Sequence, residues 1–202
     1  YNGGSNGGYM SNAADVSQIT FTGQHRSMPV SGAAEDFADK IGMIVVSSGD
    51  YNSLADSGSM PSINESLPSV SLSVERNQKT VFGVISDYED SNSDREYVQG
   101  AWVTTLEKPE GDERLMINSL GEGAIWVSNI NGNLENGDYI TTCEIPGLGM
   151  KQDDDLLHNY TVAKITQECT FRINAANYEV VEFEHEGQTY RKAFVGCTYH
   201  CG

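Results

Sequence analysis

Near one end of the 202-residue chain, Cys197-Thr198-Tyr199-His200-Cys201 places two thiols and an imidazole within five residues. Cys197, His200 and Cys201 can supply three ligands to zinc, and a tetrahedral site would need a fourth from elsewhere. Neither Cys143 nor Cys169 stands at a knuckle spacing, so buried thiols, a disulfide or a bridge between subunits compete with metal. A second place is Glu122, set between Gly121 and Gly123. Flanking glycines allow close backbone approach, and burial would raise the carboxyl pKa into a range useful for acid-base work; the competing reading is a turn with an exposed acid. A third is His25, beside Arg26 and Ser27, where an imidazole could activate a hydroxyl. Beyond zinc at the cysteine end, no cofactor is expected.

Other polar groups read as scaffolding. Asp153-Asp154-Asp155 reads as a solvated turn before a cation site, and His158 as a half-buried, satisfied histidine. Asn64-Glu65-Ser66 and Asn159-Tyr160-Thr161 have the form of glycosylation sequons, relevant only in a secretory pathway. The sequence contains no nucleotide-binding loop, zinc-protease helix, nucleophile elbow or EF-hand loop.

These residues need elements to hold them, and the composition favours strands. Hydrophobic residues make up 38% and glycines number 21, which suits short strands and tight turns. Acidic residues outnumber basic ones 29 to 12, a net charge of -17 that repels phosphate backbones, so no nucleic-acid partner is expected. No apolar run approaches the roughly 20 residues of a membrane span. The chain has neither an initiator Met nor a signal peptide, so it reads as the C-terminal part of a larger protein, beginning inside that longer chain or at a processed end.

Strands are predicted at Ile19–Thr22, Ile41–Ser47, Ser69–Val74 and Lys79–Ser86, where Gly83 marks a bulge or a close backbone approach. Asp87–Tyr97 reads as an exposed acidic loop. Two strands, Leu115–Asn118 and Ala124–Asn129, flank Gly121-Glu122-Gly123, and others cover Asp138–Thr142 and Thr161–Ile165. A hairpin joins Tyr178–Phe183 to Thr189–Val195 through a turn at Glu186-Gly187. Ser31–Lys40 is the one short helix, with acids early and Lys40 late. The expected fold is mostly β, a compact multi-strand sandwich or barrel-like domain over residues 16–202. Residues 1–15 form a Gly/Asn-rich arm, flexible or exchanged between subunits.

Phe21–Arg26 (FTGQHR), Lys40–Ser47 (KIGMIVVS), Ser62–Pro68 (SINESLP), Val81–Ser86 (VFGVIS) and Ile117–Ile140 (INSLGEGAIWVSNINGNLENGDYI) occur in a familiar order. With Ile145–Thr161 (IPGLGMKQDDDLLHNYT) and Ala193–Gly202 (AFVGCTYHCG), they resemble the self-cleaving intramolecular-chaperone peptidase domain at the C-terminus of bacteriophage tailspike and neck-appendage proteins. Close relatives of that family occur in large DNA viruses of algae. The resemblance spans about Ile19 to Gly202. It implies a homo-oligomer, most simply a trimer, that aligns an upstream fibrous part of the same chain on a virion surface or extracellular assembly. It also implies self-cleavage by acidic residues, for which Glu122 is the candidate, with the scissile peptide upstream of the domain or at Ser93-Asp94. The alternative is a structural building block retained without proteolysis.

Overall fold

The computed structural model describes residues 23–51, 66–91, 94–99, 102–108 and 110–201. The predicted arm, the strand at Ile19–Thr22 and the sequon at Asn64 lie outside the described residues.

Among the described residues twelve strands follow one another: β1 (Gly23–Pro29), β2 (Ile44–Tyr51), β3 (Pro68–Leu72), β4 (Val81–Tyr88), β5 (Arg95–Gln99), β6 (Trp102–Leu106), β7 (Leu115–Ser128), β8 (Tyr139–Thr142), β9 (Gly149–Lys151), β10 (Ala163–Ile165), β11 (Glu179–His185) and β12 (Gln188–His200). Ten of them form one sheet in the order β1-β3-β2-β4-β7-β9-β8-β10-β12-β11, while β5 and β6 pair separately. Two further pairings, β1 with β7 and β7 with β12, fold this sheet back on itself twice.

The result is two rings that share one strand. In the first, β1, β3, β2, β4 and the start of β7 close a circuit, with β1 beside β3 as its parallel pair. In the second, the end of β7 joins β9, β8, β10 and β12, and β7 beside β9 is parallel. An odd number of strands cannot alternate direction around a closed circuit, so each ring needs such a pair. Closure leaves few exposed edges.

Each ring encloses its own core. Val45, Val70, Ile85, Leu115 and Ile117 fill the first. Ile125, Val127, Ile140, Ile165, Val195 and Tyr199 fill the second, and Ile44 and Val84 from the first ring join that cluster and tie the rings together. Burial alternates along β12, with Ala193, Val195, Cys197 and Tyr199 inside and the residues between them half-buried. That period of two is the signature of a strand with one wet face.

The two strands expected around Gly121 are one strand of 14 residues. Gly121 takes φ 106, a conformation open to glycine, so the chain passes from one ring to the other without breaking the ladder to β12. Gly83 is a close approach as the sequence indicates, since a Cβ there would lie 2.5 Å from the Asn118 carbonyl oxygen. The expected helix is a 3-10 segment over Ala34–Lys40, entered where the Ala33 amide donates to Asp36 Oδ2 at 2.9 Å. The acidic loop expected over Asp87–Tyr97 is in part strand: β4 runs to Tyr88, β5 begins at Arg95, and Arg95 is buried.

Candidate functional site

Residues directly opposite in neighbouring strands share a face of the sheet, with Cβ atoms about 4.5–5.5 Å apart. Tyr139 on β8 stands opposite Lys164 on β10, Lys164 opposite Thr198 on β12, and Thr198 opposite Glu122 on β7. The second ring therefore carries a polar row across four strands on its outer face. Its members also touch: the Lys164 ammonium lies 5.7 Å from the Tyr139 ring centroid, and Thr198 Oγ1 lies 3.3 Å from His200 Nε2. His200 meets Tyr139 edge-on at 6.1 Å. Burial, and then the charge of Lys164, lower the His200 pKa and favour the neutral imidazole, which can accept a proton.

Glu122 ends this row. Its side chain is exposed, as in the competing reading of the sequence, and among the described residues it makes no hydrogen bond or ion pair. It stands at an open groove of about 670 Å³ where the rings meet, lined by Ile41, Ser86 and Asn118 on one side and Phe194, Thr166 and Tyr199 on the other. Gly123 keeps the floor of this groove low. A Cβ there would sit 2.4 Å from the Tyr199 hydroxyl, which crosses β7 to donate to the Ala124 carbonyl at 2.8 Å. A free carboxylate at the mouth of a groove can accept a proton from an attacking water and return it to a leaving group.

Strand alternation separates the three proposed zinc ligands. Cys197 belongs to the interior of the second ring, with Cys201 packed against it and donating to the Val162 carbonyl, while His200 lies on the outer face. All four cysteines are free thiols. Burial pushes Cys197 and Cys201 up to about 12, so both are protonated, inert hydrophobes at neutral pH. Among the described residues no three His, Cys, Asp or Glu side chains converge as metal ligands.

His25 is exposed on β1 with its ring 5.8 Å from that of Phe82, and it makes no hydrogen bond to Ser27, whose buried hydroxyl has no partner among the described residues. Asp154 is taken up by its own loop, bonding the Leu156 amide at 3.0 Å and His158 Nε2 at 3.0 Å. His158 also stacks on Tyr160 with ring centroids 4.5 Å apart, which fits the satisfied histidine read from the sequence.

Sequence reasoning missed a buried ionic cluster at the far end of the first ring. Arg95 forks onto Glu89 through Nε at 2.7 Å and Nη2 at 2.6 Å, and reaches Asp112 Oδ2 through Nη1 at 2.9 Å. Arg114, fully buried, donates to both Asp112 oxygens at 3.0 and 3.2 Å, and its amide donates to Glu89 Oε2 at 3.1 Å. Burial opposes the charge on Arg95, but the bonds to Glu89 and Asp112 outweigh it and raise its pKa. Burial likewise opposes the charge on Asp112, and the two arginines hold its carboxyl below the usual range. The available signal was Arg114 itself, a charge placed directly against the apolar start of β7.

No protein-family model, curated protein or solved structure matches this chain.

Proposed function

We propose that this domain is an assembly module of a fibre, spike or other particle-surface protein, acting as a homo-oligomer and most simply a trimer, with a self-processing site at Glu122. The observation that carries the processing reading is the exposed, unbonded Glu122 carboxylate at the groove between the rings, at the end of the Tyr139–Lys164–Thr198 row. The resemblance of the chain's longest phrases to intramolecular-chaperone peptidases supports the same assignment. Two closed rings sharing a strand form a compact scaffold, and a module that associates before its upstream strands raises their effective concentration and sets their register.

Hydrolysis at this site balances simply. Water adds to the scissile carbonyl as Glu122 takes its proton, the carbon–nitrogen bond breaks, and the proton passes to the departing amine. Mass spectrometry of the chain expressed with its upstream part tests this. A single homogeneous cut that disappears in Glu122→Gln, with the unfolding midpoint unchanged, is the expected result. A chain that stays intact in the mature assembly would remove self-processing and leave a retained building block.

A further inference from the structure

The first and last described residues meet on one short stretch of β7. Leu120 stands opposite Gly23, where β1 begins, and opposite His200, where β12 ends. The Ser119 hydroxyl donates to the Gly23 carbonyl at 3.1 Å, and the Ser119 carbonyl accepts the Cys201 amide at 3.0 Å. Beyond Leu120 that edge of β7 belongs to β12, so the residues leading into Gly23 have no free edge of β7 to follow. One face of β7 is also closed to them, because Leu115, Ile117, Ile125 and Val127 point into the two cores.

The other face carries Asn118, Leu120, Glu122 and Ala124, and all but Leu120 line the groove between the rings. Leu120 stands between two of them and is 43% exposed, an apolar side chain left open beside walls formed by Ile41, Ile85 and Phe194. The start of β1 reaches this groove too, since Gln24 Nε2 donates at 2.9 Å to Oγ of Ser86, one of the lining residues. The chain therefore enters β1 at the edge of the groove.

The residues that arrive there have matching chemistry. Ile19-Thr20-Phe21-Thr22 carries no charge in a chain of net charge -17, so it can pass the Glu122 carboxylate without repulsion. In an extended segment alternate side chains share a side, which puts Ile19 with Phe21 and leaves the two threonines on the other. Four extended residues reach about 13 Å, whereas Glu122 lies two strand positions past Leu120, about 7 Å.

We infer that Ile19–Thr22 turns back from Gly23 into the groove of its own chain, seating Ile19 and Phe21 against Ile41, Ile85, Phe194 and Leu120. This contact needs neither cleavage nor a second copy, so it stands apart from the processing and oligomeric readings. The test replaces Phe21 in the full chain by photoreactive p-benzoylphenylalanine, irradiates it and maps the crosslinks by mass spectrometry. Urea unfolding checks the fold, and the same replacement at Ile19 serves as a second reporter should the first disturb it. The expected result is crosslinks within one chain to Ile41, Ile85, Phe194 or Leu120 as the main product. Crosslinks between chains would give the groove to a second copy's segment and overturn the inference. Crosslinks to other surfaces, or none from a folded chain, would overturn it equally.

Discussion

The two rings are built to the same plan and differ in where they put their charge. Each closes a circuit of five strands through one parallel pair, and each borrows half of β7. The first ring buries charge, with Arg95, Arg114, Glu89 and Asp112 bonded to one another at its far end. The second keeps its polar groups on the outer face, where Glu122 stands exposed. Buried charges bonded to each other cannot rearrange without leaving a partner uncompensated, so they suit anchoring. An exposed carboxylate without a partner loses nothing when a substrate arrives. The first arrangement fixes the start of β5, and the second leaves a carboxylate exposed at the groove.

The hardest test of this contrast is removal of one member of the buried cluster. Arg114→Ala leaves Glu89 and Asp112 to share the single guanidinium of Arg95 in a largely dry site and should cost about 3–5 kcal/mol. Urea unfolding would read this directly, and a loss comparable to that of an exposed pair, about 0–1 kcal/mol, would mean the cluster is solvated. A milder probe compares the close approaches in the two rings. Gly83→Ala in the first ring drives a methyl group against the Asn118 carbonyl at 2.5 Å, a backbone atom that cannot swing aside. Gly123→Ala in the second meets the Tyr199 side chain, which can yield by giving up its bond to the Ala124 carbonyl. Both should destabilise by about 1–3 kcal/mol, Gly83→Ala the more. Equal thermal shifts would show that the shared strand moves as freely as the tyrosine.

The smallest effect expected is in the acid limb. Asp112 has a folded pKa below its unfolded value of about 3.9, so its contribution is complete above that pH and is lost as pH falls through the folded value. Stability should therefore decline more steeply below about pH 4 in the parent chain than in Asp112→Asn. Urea midpoints measured from pH 6 to pH 3 would show it, and parallel curves would assign the acid sensitivity to other carboxylates.

Much of the local structure was legible. Alternating Ser and Val over Ser69–Val74 marked β3, and Glu186-Gly187, at φ 48 and 74, made the turn between β11 and β12. Gly83 announced a close approach because a glycine inside an apolar strand has few other uses. The ionic cluster was hidden for the opposite reason. Charged residues normally mark solvent, and nothing local shows that Glu89, Arg95, Asp112 and Arg114 meet one another. The run from Cys197 to Cys201 left metal and buried thiols both open, and the strand parts its members: residues adjacent in sequence alternate between the two faces, so His200 lies away from the side its neighbouring thiols occupy.

By itself the sequence determined that this chain is a mostly β domain and located β2, β3, β4, β8, β10, β11 and β12, though not their exact ends. Those properties follow from side-chain periodicity and turn chemistry, which act over a few residues. Tertiary structure decided that β7 is a single strand serving two rings, that Glu122 ends a polar row with Thr198 opposite it, and that four charges close on one another at the start of β5. Such meetings depend on the register between strands far apart in the chain. A shift of one residue would turn every one of these side chains to the other face.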